Sequence, residues 1–118
     1  MINSNIGIDL VKIDRFKSYT IEDSFLIKNF TENELNYCFN KRKISASLSG
    51  KFAAKEAVIK IISSKEISPF SLRDIEILNN DNGSPFLNKC PIEKYTNRIN
   101  LSITHDGEYA AAVAILNK

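Results

Sequence analysis

Residues 45–64, SASLSGKFAAKEAVIKIISS, constrain this chain more than any other stretch. Wound at about 3.6 residues per turn, the segment puts Phe52, Glu56 and Lys60 on one stripe. Ala53, Ala57 and Ile61 flank that stripe, and Ala54, Val58 and Ile62 lie further round. Apolar residues cover most of the circumference, which predicts a long helix largely inside the protein. Gly50 permits another part of the chain to approach it closely. A carboxylate at Glu56 is costly in such a place unless it is paired. Lys60 is one candidate partner, and a metal ion is another.

The elements around this helix follow from pattern and punctuation. Residues 6–13, IGIDLVKI, alternate as a strand: Ile6, Ile8 and Leu10 share one face, and Gly7, Asp9, Val11 and Ile13 the other. A short helix is expected from Asp14. Thr31 with Glu34 three residues on forms a capping box that starts a second helix in FTENELNYCF. Residues 40–43 are a polar, basic break, and SPF at 68–70 ends the helical region. The remainder reads as β. Residues 74–78 form a strand, Asn82-Gly83 marks a hairpin turn, and Phe86 and Leu87 begin the return. Residues 99–104 alternate, and 110–116, AAAVAIL, is a buried strand, with HDGE as the tight connection between them. The expected class is α+β: one compact domain over residues 1–118, with helices packed on a mostly antiparallel sheet that the first strand joins.

Composition closes off several function classes. A chain of 118 residues with 43% hydrophobic residues suits one core. No apolar run reaches the roughly 18 residues a membrane span needs. The N-terminus carries no signal-peptide pattern, so a cytosolic protein is expected. Cys38 and Cys90 lie far apart, outside any C-x-x-C pair, and with a single histidine they do not compose a structural zinc site. Between Leu26 and Lys60, seven basic residues stand against three acidic ones. That excess suits an acidic or phosphorylated partner. It has little aromatic interleaving, which argues against a nucleic-acid surface, and Lys41-Arg42-Lys43 alone reads as a solvated run.

Three polar residues occupy positions where apolar ones would be easier: Asp9 in mid-strand, Glu56 on the inner helix, and His105 at a strand end. Two carboxylates from separate elements can converge on Mg²⁺, which takes one or two protein carboxylates and completes its shell with water and phosphate oxygens. Lys55 and Lys60, one turn away or less, suit phosphates. The constellation suggests metal-assisted phosphate chemistry. Each residue also has a structural alternative: Asp9 as a turn cap, Glu56 as the ion-pair partner of Lys60, His105 as a turn residue.

The stretches GIDLVKIDRF, FTENELNYC, KFAAKEAVIK and LSITHDGEYAAAVAI, with the hairpin DIEILNNDNGSPFL, follow one another as they do in the holo-acyl-carrier-protein synthases. The chain resembles these short, trimeric members of the 4'-phosphopantetheinyl transferase superfamily over nearly its whole length. The resemblance implies Mg-dependent transfer of the phosphopantetheine arm of coenzyme A to a serine of apo-acyl carrier protein, in fatty acid biosynthesis. It implies Asp9 and Glu56 as metal ligands, and Glu56 and Lys60 as catalytic residues. It implies Lys51, Lys55, Lys60, Gly83, Pro85 and His105 as coenzyme A contacts. Glu56, directly or through a water it orients, is the candidate base. Arg15, Lys17 and Lys28 are candidates for steering an acidic carrier protein. The resemblance also implies a homotrimer with its sites at subunit interfaces.

Two positions leave the family pattern. Lys51 stands where arginine is frequent, and Ser84 where lysine is frequent; both changes bear on coenzyme A affinity. The alternatives in other classes are a non-catalytic coenzyme A or nucleotide-binding oligomeric module, and a structural oligomer without a ligand. Retention of Asp9, Glu56 and Lys60 together argues against the first.

Overall fold

The structure, a computed structural model, describes residues 4–66 and 69–117. Strand β1 (Ile6–Lys12) passes through a 3-10 turn (Ile13–Phe16) to helices α1 (Ser24–Asn29), α2 (Glu32–Phe39) and α3 (Ile44–Ser63). The hairpin β2 (Glu76–Asn79) and β3 (Pro85–Lys89) follows, then β4 (Ile99–Asp106) and β5 (Tyr109–Leu116). The expected short helix after β1 is thus a single 3-10 turn. Helix α1 was not expected; Asp23 caps it by accepting from the Phe25 amide. The break expected at 68–70 falls partly outside the described residues.

The β strands divide between two sheets. One is antiparallel with order β1-β5-β4, and the other is the β2–β3 hairpin alone. The first strand joins the C-terminal strands as expected, but the hairpin does not extend that sheet. Residues 72–74 form a 3-10 turn capped by Ser71, so β2 begins two residues later than its pattern predicts. The capping box forms in full: Thr31 accepts from the Glu34 amide while the Glu34 side chain accepts from the Thr31 amide.

Helix α3 crosses the inner face of the three-stranded sheet diagonally. Two glycines mark where it touches. A Cβ on Gly50 would lie 2.9 Å from the His105 ring, on β4; a Cβ on Gly7 would lie 1.9 Å from the Ala57 carbonyl oxygen, so β1 meets α3 there. The helix therefore starts over one edge strand and ends over the other. Leu48, Ala53, Ala57, Val58, Ile61 and Ile62 are all fully buried, as the all-round apolar pattern predicts. The opposite face of the sheet stays open over β1, where Ile6, Ile8 and Leu10 are 58%, 65% and 65% exposed.

Among the described residues, no helix is long and apolar enough to cross a membrane.

Candidate active site

Asp9 sits in the inner row of the sheet, in register with Ala112 and, beyond it, Ile103. The inner face of β1 holds Gly7, Asp9 and Val11, and only a residue without a side chain at 7 lets the strand close on α3. That approach brings Asp9 against the last third of the helix. Lys60 donates to the Ile8 carbonyl at 2.6 Å and lies 3.5 Å from an Asp9 carboxylate oxygen. Its side chain is half exposed, and that of Asp9 is 18% exposed.

Glu56, one turn before Lys60, is half-buried. It has no hydrogen bond or salt bridge to the described residues. Burial pushes its carboxyl above the usual glutamate range, and Asp9 pushes it further; Lys60 and Arg15 pull the other way. Lys60 therefore pairs with Asp9 rather than with Glu56. Two carboxylates repel across this spot, and the half-buried Glu56 has no partner among the described residues. Among the described residues, no cluster of three or more acids, histidines and cysteines forms here. A pair of hard oxygen donors with open positions fits Mg²⁺, which keeps water and phosphate oxygens for the rest of its shell.

Arg15 is exposed beside this pair, with its guanidinium 5.1 Å from the Phe52 ring centre. Lys17, also exposed, lies 3.6 Å from Asp14, and Lys28 is exposed in the last turn of α1.

His105 lies at the other end of α3. Its Nε2 sits 2.9 Å from the Ala46 carbonyl oxygen. A carbonyl only accepts, so Nε2 carries a proton and Nδ1 is the nitrogen left for a ligand. The cleft beside it, about 800 Å³, is lined by Lys17, Arg42 and Lys43 as well as His105. Arg42 and Lys43 read in the sequence as a solvated run; only the fold brings that run beneath the end of β4.

Two lysines expected at a phosphate stand elsewhere. Lys55 is fully buried, and its ammonium pairs with Glu34, whose side chain is also 0% exposed. The other Glu34 oxygen accepts from the Ile77 amide at 2.8 Å. Lys55 thus joins α3 to α2 and β2 in the core, and its expected contact with coenzyme A is corrected. Lys51 is 3% exposed. It donates to the Ile77 carbonyl and to Asn79 Oδ1, each at 2.6 Å, so it is neither a solvated helix charge nor free to meet a phosphate. Burial pulls both ammonium groups below the usual lysine range. The sequence could have flagged Glu34: a residue whose second oxygen is left over from the capping box needs another partner once buried.

Gly83 and Pro85 lie on the hairpin turn. Gly83 is exposed with φ +90°, a conformation that suits glycine. Pro85 pairs with Asn79 at the start of β3.

Known proteins match this chain over nearly its whole length. The family model of the 4'-phosphopantetheinyl transferase superfamily matches residues 5–114. A holo-[acyl-carrier-protein] synthase of Caldicellulosiruptor saccharolyticus is 43% identical, over 97% of this chain and 96% of its own. The crystal structure of the Helicobacter pylori holo-[acyl-carrier-protein] synthase in complex with coenzyme A superposes with a TM-score of 0.77 at 30% identity, covering 95% of this chain and 99% of that one. The Bacillus anthracis holo-(acyl-carrier-protein) synthase in complex with CoA (3',5'-ADP) gives 0.76 at 33% identity, covering 95% and 94%. The fold and the full-length similarity agree, and this chain belongs to the 4'-phosphopantetheinyl transferase superfamily.

Proposed function

We propose that this chain is a holo-[acyl-carrier-protein] synthase. It transfers the 4'-phosphopantetheine arm of coenzyme A to a serine of an apo-acyl carrier protein and releases adenosine 3',5'-bisphosphate. The observation that carries this assignment is that Asp9 on β1 and Glu56 on α3 lie close enough to repel, beside Lys60. The similarity over nearly the whole chain supports it. A cytoplasmic location is part of the same reading.

Asp9 and Glu56 would hold Mg²⁺. When bound, the ion polarises the attacked phosphorus and neutralises the leaving phosphate. Lys60 keeps Asp9 in place through its own contact with β1 and leaves its exposed ammonium beside the phosphates. Glu56 is our candidate to take the proton of the carrier serine, directly or through one water. His105, with Gly83 and Pro85, is assigned to the nucleotide end of coenzyme A. Its cleft supplies Arg42 and Lys43 to a polyanion. Arg15, Lys17 and Lys28 face solvent and suit an acidic carrier protein.

We further propose a homotrimer with its sites between subunits. Asp9 and His105 lie on opposite edge strands, roughly 12 Å apart by strand spacing and rise, and α3 runs between them. The two half-sites thus open at different rims of one copy. They meet when the carboxylate rim of one copy faces the His105 rim of the next. Such a head-to-tail contact closes as a three-membered ring when each copy is turned by a third of a circle from the last. The open apolar stripe of Ile6, Ile8 and Leu10 gives that ring a surface to bury.

Thermal unfolding with coenzyme A and Mg²⁺, singly and together, tests the assignment. The two together should stabilise the protein more than the sum of each alone, and Glu56→Ala should abolish the gain from Mg²⁺. A gain from coenzyme A that ignores Mg²⁺ would favour the non-catalytic binding module. No gain from either would favour a structural oligomer.

A further inference from the structure

The turn between β2 and β3 leaves the core at Asn79; residues 80–84 are all exposed. Within itself the turn is closed by bonds from the Gly83 amide to the Asn80 carbonyl and from the Asn80 amide to the Ser84 carbonyl. Those bonds shape the loop but do not tie it to the rest of the molecule. Beyond the β2–β3 pairing at its base, the tie runs through one side chain. Asn79 Oδ1 accepts from the buried Lys51 ammonium at 2.6 Å, and Asn79 Nδ2 donates to the Gly83 carbonyl at 3.0 Å. The amide has only one orientation here: lysine only donates and a carbonyl only accepts. Among the described residues, Lys51 has no carboxylate partner. Its charge is satisfied by the Ile77 carbonyl, by Asn79, and by the Tyr37 ring face 4.7 Å away. Losing either oxygen would leave a buried ammonium short of a partner, so the cation holds both in place.

We propose that Asn79 is a positioning residue for coenzyme A: anchored by Lys51 on α3, it fixes the turn carrying Gly83 and Pro85 in the place where that turn meets the ligand. The role of Lys51 follows. It acts on coenzyme A affinity from inside the protein, through Asn79, without touching a phosphate. This rests on the assignment of the hairpin turn to the nucleotide, and the test separates the two.

Two variants cut the tie at different points. Asn79→Ala removes both bonds. Asn79→Asp keeps an oxygen for Lys51 but has no N–H for the Gly83 carbonyl. Hydrogen exchange on the ligand-free protein reads the anchoring, at the amides of Asn80, Gly83 and Ser84. Steady-state kinetics in coenzyme A read the consequence. In both variants these three amides should exchange about tenfold faster, the scale of one lost hydrogen bond, with α3 and β5 unchanged. The KM for coenzyme A should rise about three- to tenfold while kcat at saturation stays within about twofold, because binding rather than the transition state is affected. Lys51→Arg, which still donates to two oxygens, should keep the turn protected and the KM low. Unchanged exchange in Asn79→Ala and Asn79→Asp would overturn the anchoring. Faster exchange with an unchanged KM would show an anchored turn that does not meet coenzyme A. That outcome would remove the hairpin from the ligand site and Asn79 from any positioning role.

Discussion

Replacing Lys55 with methionine separates a core lysine from a phosphate-binding one. Methionine fills the volume of the lysine stem and removes only the charge. Glu34 would then stay fully buried, still accepting from the Thr31 and Ile77 amides but with no cation. Breaking a buried ion pair from one side costs about 3–5 kcal/mol. At about 2.1 cal/mol/K per residue, the 118 residues unfold with an entropy near 250 cal/mol/K, so each kcal/mol moves Tm by about 4 °C. Lys55→Met should therefore lower Tm by about 12–20 °C at fixed protein concentration. The assay is thermal unfolding followed by circular dichroism, paired with the KM for coenzyme A at a temperature where the variant is folded. A Tm near wild type with a sharply raised KM would refute the core role and return Lys55 to the phosphates.

Two further outcomes are expected. Ile8→Glu places a charge on the open apolar stripe without touching the inner face, and sedimentation should show the proposed trimer for the wild type and a monomer without transfer for the variant; a fully active monomer would end the shared-site assignment. Glu76, buried in β2, tests the pH dependence. Burial pushes its carboxyl up, but donors on Thr31, Asn88 and Asn33 outweigh this and hold it below the usual glutamate range. A lowered folded value adds stability that is present above the unfolded glutamate range and lost as pH falls through the folded one. Glu76→Gln should cost about 1.5–3 kcal/mol at neutral pH, the scale for hydrogen bonds to a charged group. The deficit should close on acid titration, and a pH-independent deficit would contradict this.

Much of the fold is legible in short-range patterns. The capping box at Thr31 and Glu34, the all-round apolar helix and the Asn82-Gly83 turn are each local, and each forms as expected. Asp9 and Glu56 stood out because carboxylates are rare on apolar elements, and the fold brings them together. What the sequence hides is direction. Lys51, Lys55 and Lys60 look alike along one helix, yet two point inward to Asn79 and Glu34 while the third reaches β1. Their partners are 28, 21 and 52 residues away, beyond any periodicity. Helix α1 was missed because six residues are too few for a pattern, although Asp23 was a readable cap. The separation of the hairpin from the main sheet is likewise tertiary. The free edge of β2 is occupied at Ile77 by Glu34 and Lys51, which satisfy its amide and carbonyl in place of another strand.

The most direct measurement is mass spectrometry of an apo-acyl carrier protein incubated with this protein, coenzyme A and Mg²⁺. The carrier should gain the mass of the phosphopantetheine arm on its serine. Asp9→Ala and Glu56→Ala, each with the oligomeric state of the wild type, should slow the gain by about a hundredfold or more, the scale for losing a preorganised electrostatic group. No mass gain with the wild-type protein, or wild-type rates in both variants at an unchanged Mg²⁺ requirement, would contradict the assignment of this site.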